Sequence, residues 1–191
     1  MIRRMVALLT ALVIAGLCVS RASAREEAFP PTQPEEIAEW IEEAMGVYAW
    51  FSIWPLGGDL EEPMEEGASE YYRVLDERYD TRLKLAEFAL EYFSMEIVTG
   101  LFDRGLYEER DGVLYVSDRF EIIDENISSV EYEVTAQGEG WIEYLARVSY
   151  LSGTDDAYTR ECAYRCELTD GRWVFTQFDF YWERERNSQY G

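Results

Sequence analysis

Residues 130–151 read VEYEVTAQGEGWIEYLARVSYL, and their period of two decides the fold class. Val130, Tyr132, Val134 and Ala136 alternate with Glu131, Glu133 and Thr135; Gly138-Glu139-Gly140 then turns the chain into a second alternating run, Trp141–Leu151. Such alternation predicts half-buried antiparallel strands, because successive side chains on a strand point to opposite faces. Downstream, Thr154-Asp155-Asp156 marks a turn before a strand over Tyr158–Leu168, and Asp170-Gly171 marks a tight turn before a last strand over Arg172–Trp182. Four long antiparallel strands are expected. In the last of them, strict alternation puts Trp173, Phe175 and Tyr181 on one face with Gln177 and Asp179, and Val174, Phe178, Phe180 and Trp182 on the other. Both faces are apolar. That pattern fits a covered central strand, or a curved sheet around a pocket lined by Tyr144, Trp173, Asp179 and Tyr181.

Upstream the period is helical. Thr32-Gln33-Pro34-Glu35 reads as a capping box with proline in the first turn, opening a helix to about Phe51. Ile37, Trp40, Ile41, Ala44, Met45, Tyr48 and Phe51 recur at three- and four-residue spacing and form its core stripe. Residues 54–70 read WPLGGDLEEPMEEGASE and predict an acidic loop, in which Asp59, Glu61, Glu62, Glu65 and Glu66 are the candidate partner-binding residues. Asp155 and Asp156 are a second candidate pair. A short strand is expected over Tyr71–Leu75, then a second helix from an Asp80-Thr81 cap to about Thr99, buried through Leu83, Ala86, Leu90, Phe93 and Ile97. Asp111-Gly112, flanked by YEER and VLYV, predicts a type I′ hairpin. Helices first and strands after make an α+β domain, with two N-terminal amphipathic helices packed on one curved antiparallel sheet.

The ends of the chain carry the compartment. Arg3 and Arg4, the apolar run Met5–Val19 and Ala22-Ser23-Ala24 predict a cleavable signal peptide over residues 1–24, since the run is shorter than the roughly 20 residues a spanning helix needs. A linker over residues 25–33, a single domain over 34–183 and a polar tail over 184–191 complete the expected division. The localisation is extracytoplasmic, secreted or at the cell wall, with no membrane association after cleavage.

Composition narrows the chemistry. The chain has 39 acidic against 17 basic residues, a net charge of −22; loss of Arg3, Arg4 and Arg21 leaves 14 basic residues and a charge of −25. A charge of this sign and size repels nucleic acid and favours cationic partners. Histidine is absent, which removes the commonest general base and zinc ligand, and no acidic spacing matches a calcium loop; no metal and no cofactor is expected. Cys162 and Cys166 lie four apart in a strand, about 13 Å at the usual rise, beyond the reach of about 7 Å that a disulfide allows. They are read as small buried residues.

Two N-terminal helices, a hairpin and a long-stranded meander resemble the cystatin-like or NTF2-like class. More narrowly, the succession YAWFSIWPLGGD, YYRVLDERYDTRLKLAEFALEYFS, DGVLYV and DGRWVFTQFDFYW, within residues 40–182, resembles the secreted IseA-type DL-endopeptidase inhibitors of Gram-positive bacteria. The resemblance implies a monomeric, non-catalytic protein that occludes the active-site cleft of NlpC/P60-type cell-wall endopeptidases with acidic groups. The alternatives are an NTF2-like binding domain for a small molecule or wall component, and an isomerase or hydratase using a carboxylate such as Asp179 in the sheet pocket.

Overall fold

The computed structural model describes residues 30–64, 71–119 and 126–182. The signal segment 1–24, most of the linker, Glu65 and Glu66, and the tail 184–191 lie outside the described residues. Among the described residues the fold is α+β, with three α-helices and two four-stranded antiparallel sheets. The expectation of one sheet and two helices is corrected in both counts.

Helix α1, Pro34–Ala49, buries Ile37, Trp40, Ile41, Ala44 and Met45 as its spacing requires. Its N-cap is Gln33, extended and without a side-chain hydrogen bond, so Thr32 does not form the expected capping box. The residue before a proline is held extended, and Pro34 at the first helical position therefore fixes the start at Gln33. The chain continues through β1, Gly58–Pro63, and β2, Tyr71–Val74, then a 3₁₀ turn at Glu77–Tyr79. Asp76 caps that turn, accepting from the Arg78 amide at 3.0 Å and pairing with its guanidinium at 2.6 Å, which lowers the Asp76 pKa.

Helix α2, Arg82–Ala89, starts at a Thr81 cap whose hydroxyl accepts from the Lys84 amide. It stops well short of Thr99. Ser94 caps a separate helix α3, Met95–Phe102. The break between them is occupied: Phe175 donates its amide to the Tyr92 carbonyl at 2.8 Å and accepts from the Ser94 amide at 2.9 Å. A strand-like bridge at residues 92–94 and helical hydrogen bonding cannot coexist, so the long helix divides. Of the expected stripe, Phe93 is buried and Ala86, Leu90 and Ile97 are partly buried against the core, but Leu83 is exposed, and Leu85, Ala89, Val98, Leu101 and Phe102 join the core instead.

Strands β3, Tyr107–Arg110, and β4, Val113–Ser117, form the expected hairpin, with Asp111 and Gly112 both at positive φ as a type I′ turn demands. In the first sheet the order is β1-β2-β4-β3, so β2 pairs with a strand some forty residues away in the chain. Gly58 lets β1 approach, because a Cβ there would lie 2.8 Å from Tyr72 Cβ and 3.1 Å from Val116 Cγ1.

The second sheet is the predicted meander: β5, Ile127–Gly138; β6, Trp141–Tyr150; β7, Tyr158–Thr169; and β8, Arg172–Phe178. β5 forms one border of the sheet and carries two bulges, at its start and near Thr135. The β6–β7 register runs unbroken through ten pairs. β8 departs from strict alternation. Cys166 pairs with Phe175 and Arg165 with Gln177, so Thr176 is an extra residue and the face changes there. Phe175 and Phe178, expected on opposite faces, pack together with ring centroids 4.9 Å apart and both contact Tyr164.

One core joins α1, the helix pair and both sheets. Phe175 is central to it, contacting Trp40 at 4.9 Å, Phe93 at 6.2 Å and Phe178. Cys162 and Cys166 are buried in this core and form no disulfide, in accord with their strand spacing.

Candidate functional site

The acidic segment is built differently from the connector its composition predicts. Its residues 58–63 are β1, the open border of the first sheet. Asp59 pairs with Arg73, and the next paired residue is Pro63, opposite Tyr72; Leu60, Glu61 and Glu62 therefore bulge from the strand as a three-residue projection. Asp59 fixes its base by accepting from the Glu61 amide at 3.0 Å. Leu60 is 73% exposed at this projection and Glu61 is exposed beside it. The Met64 amide bonds the Tyr71 carbonyl at 2.9 Å, continuing the strand pair.

Two further exposed apolar side chains, Trp54 and Leu75, lie in the chain before β1 and just after β2. The Leu75 amide bonds the Gly57 carbonyl, and the Trp54 ring lies 5.4 Å from that of Trp182. Charge-based reasoning selected the acids and passed over Leu60, Trp54 and Leu75. The available signal was a leucine isolated among acids beside two glycines, a pattern that no buried strand needs.

This surface is held from below by one tyrosine. Tyr107 is buried; its hydroxyl donates to the Trp50 carbonyl at 2.8 Å and accepts from the Leu56 amide at 2.9 Å. It thereby ties the exit of α1 and the approach to β1 onto the β3–β4 hairpin, and burial raises its pKa. Asp155 and Asp156 are exposed in the β6–β7 turn, as expected for a loop. No contact joins them to the β1 projection among the described residues.

The four expected pocket residues each have their own bonding partners. Tyr144 is buried against Trp40, ring centroids 5.9 Å apart, and donates to the Pro31 carbonyl at 3.0 Å. Trp173 is half-buried at the edge of the core. Asp179 accepts from the Ala163 amide at 2.8 Å, its carboxylate standing where a continuing strand would offer a carbonyl. Tyr181 is buried, with its hydroxyl 2.7 Å from that of Tyr132. Desolvation by burial is the first cause of the raised pKa of Tyr132, Tyr144 and Tyr181.

On the outer face of the second sheet, carboxylates hold arginines in cross-strand clusters. Arg147 bonds Glu133 at 2.7 Å and Glu161 at 3.4 Å; Arg165 bonds Glu143 and Glu167, each at 2.6 Å, and lies over the Trp141 ring. These pairings neutralise part of that face, whereas the β1 projection adds acid to an already acidic chain. Among the described residues, no three His, Cys, Asp or Glu side chains come together as a metal-binding set, and no helix is long and apolar enough to cross a membrane. No protein-family model matches the chain, and neither does any curated protein.

Proposed function

We propose that the chain is an exported, non-catalytic inhibitor that docks its acidic β1 border into the cleft of a basic cell-wall DL-endopeptidase of the NlpC/P60 type. The observation that carries this reading is the Leu60–Glu62 projection: a defined, solvent-facing bulge that presents an apolar side chain between acids. A projection whose base is fixed by Asp59 loses less conformational freedom on docking than a mobile loop does. A net charge of −22 steers association with a cationic partner, and the absence of histidine in the sequence favours binding over acid–base catalysis. The same reading takes the helices and the long meander as a cystatin-like arrangement.

The test is peptidoglycan digestion by a purified NlpC/P60 endopeptidase with the mature protein added at low and moderate salt. Stoichiometric inhibition that weakens with salt supports the reading; undiminished digestion across several such enzymes overturns it. Replacing Glu61, Glu62, Glu65 and Glu66 together by Gln is expected to weaken inhibition through slower association, with an unchanged circular dichroism spectrum.

A further inference from the structure

The register of the second sheet gathers polar atoms at one place in the core. Tyr132, Ala146 and Cys162 lie side by side across β5, β6 and β7, and Tyr144 and Tyr164 share that face one pleat along. A methyl and a thiol are short, so the row sinks between taller tyrosines. Tyr181, from the segment beyond β8, closes it: its hydroxyl meets that of Tyr132 at 2.7 Å, and its carbonyl accepts from the Tyr150 hydroxyl at 3.0 Å.

Counting protons exposes an imbalance. Tyr132 and Tyr181 share one hydrogen bond but own two hydroxyl protons, so one proton of the pair points elsewhere whichever residue donates. The Tyr164 hydroxyl is buried and has no hydrogen-bond partner among the described residues, although the residue is only 1% exposed. Burial chiefly, then Cys162, Tyr181, Tyr132 and Asp179, raises the Tyr164 pKa, in accord with the sheet face that Tyr132, Cys162 and Tyr164 share. Two unspent O–H donors and the Tyr164 lone pairs thus stand on the same face as the two smallest residues of the row.

We propose that Tyr164 and the Tyr132–Tyr181 pair bind one internal water molecule over Ala146 and Cys162. Water suits the site because it both accepts and donates, and internal waters characteristically take about three hydrogen bonds from buried groups that lack partners. An anion is disfavoured because the rings of Phe175 and Phe178 pack on Tyr164 and the carboxylates of Asp179 and Glu42 already act on these hydroxyls. Bridging in this way, the water links β7 to β5 and to the segment after β8, which the backbone ladder does not reach.

A crystal structure of the mature protein at 1.5 Å or better tests the site directly. The expected result is a single well-ordered peak within about 3.2 Å of Tyr164 Oη and of one hydroxyl of the pair. No peak, or density larger than one solvent atom, overturns the proposal. Urea unfolding of Tyr164→Phe supplies a second, independent reading. If the water is bound, the variant loses it along with its hydrogen bonds and its midpoint falls; if the hydroxyl is an orphan, removing it relieves a desolvated group and the midpoint rises. A rise overturns the proposal.

Discussion

The two sheets were assembled by opposite means. In the second, each strand pairs with its neighbour in the chain, through turns at Glu139-Gly140 and Asp170-Gly171, and long alternating strands do most of the work. In the first, β2 pairs with β4 across two helices, the strands are short, and single side chains supply what the ladder lacks: Tyr107 at Trp50 and Leu56, and Tyr71 at the Gly105 carbonyl, 2.7 Å away. The difference teaches where stability and exposure divide. Local pairing makes a frame that tolerates change at its surface; distant pairing makes a platform dependent on a few bonds, and that platform carries the exposed acidic projection.

Raising the pH strikes the comparison hardest. Tyr132, Tyr144 and Tyr164 of the second sheet, with Tyr181 beyond it, and Tyr107 of the first all have native pKa values raised above 10.0 by burial. Their contribution is complete below about pH 10 and is lost as pH climbs beyond it, because only the unfolded chain then releases the protons. Each buried tyrosine contributes at most about 1.4 kcal/mol per pH unit, so the five together reach a whole domain's stability within two units. Urea titrations between pH 8 and 11.5 are expected to show a steep fall above pH 10. A flat profile would show the hydroxyls reaching solvent.

Next in size is Phe175→Ala, expected to cost about 4 kcal/mol because the ring joins α1, Phe93 and β7. Hydrogen exchange should show both sheets losing protection together; protection lost only from β5–β8 would divide the molecule into two folding units. Tyr107→Phe is expected to cost about 2 kcal/mol, leaving the Trp50 carbonyl and Leu56 amide without their partner. Its exchange signature should stay in β1–β4, sharpening the contrast. Arg147→Met, on the outer face of the frame, should leave the urea midpoint unchanged at moderate salt and lower it only slightly at low salt, since its pairs are exposed.

How much of this was legible follows from the same contrast. Alternation and two-residue turns marked the meander and the Asp111-Gly112 hairpin because both are local signals. β1 was hidden in an acid-rich stretch, since nothing in Asp59–Glu62 announces a partner at Arg73. The helix break was partly visible, as Ser94 followed by Met95-Glu96 is an acceptable cap, but its cause lies at Phe175. The expected pocket rested on perfect alternation in β8. One extra residue at Thr176 reset the faces, and Asp179 went to an amide of β7. Of the acidic candidates, Asp59 fixes the base of the projection and Glu61 and Glu62 lie in it, while the exposed leucine between Asp59 and Glu61 had to be seen in place.

The doubly bulged β5 sets a limit on self-assembly. A straight border strand of twelve residues would offer its free amides and carbonyls to a second copy, and fibrils grow by that addition. Extra residues at two points break the regular spacing that a partner strand would have to match. A border that is hard to copy disfavours strand addition there and leaves β1, with its exposed Leu60, as the more available border.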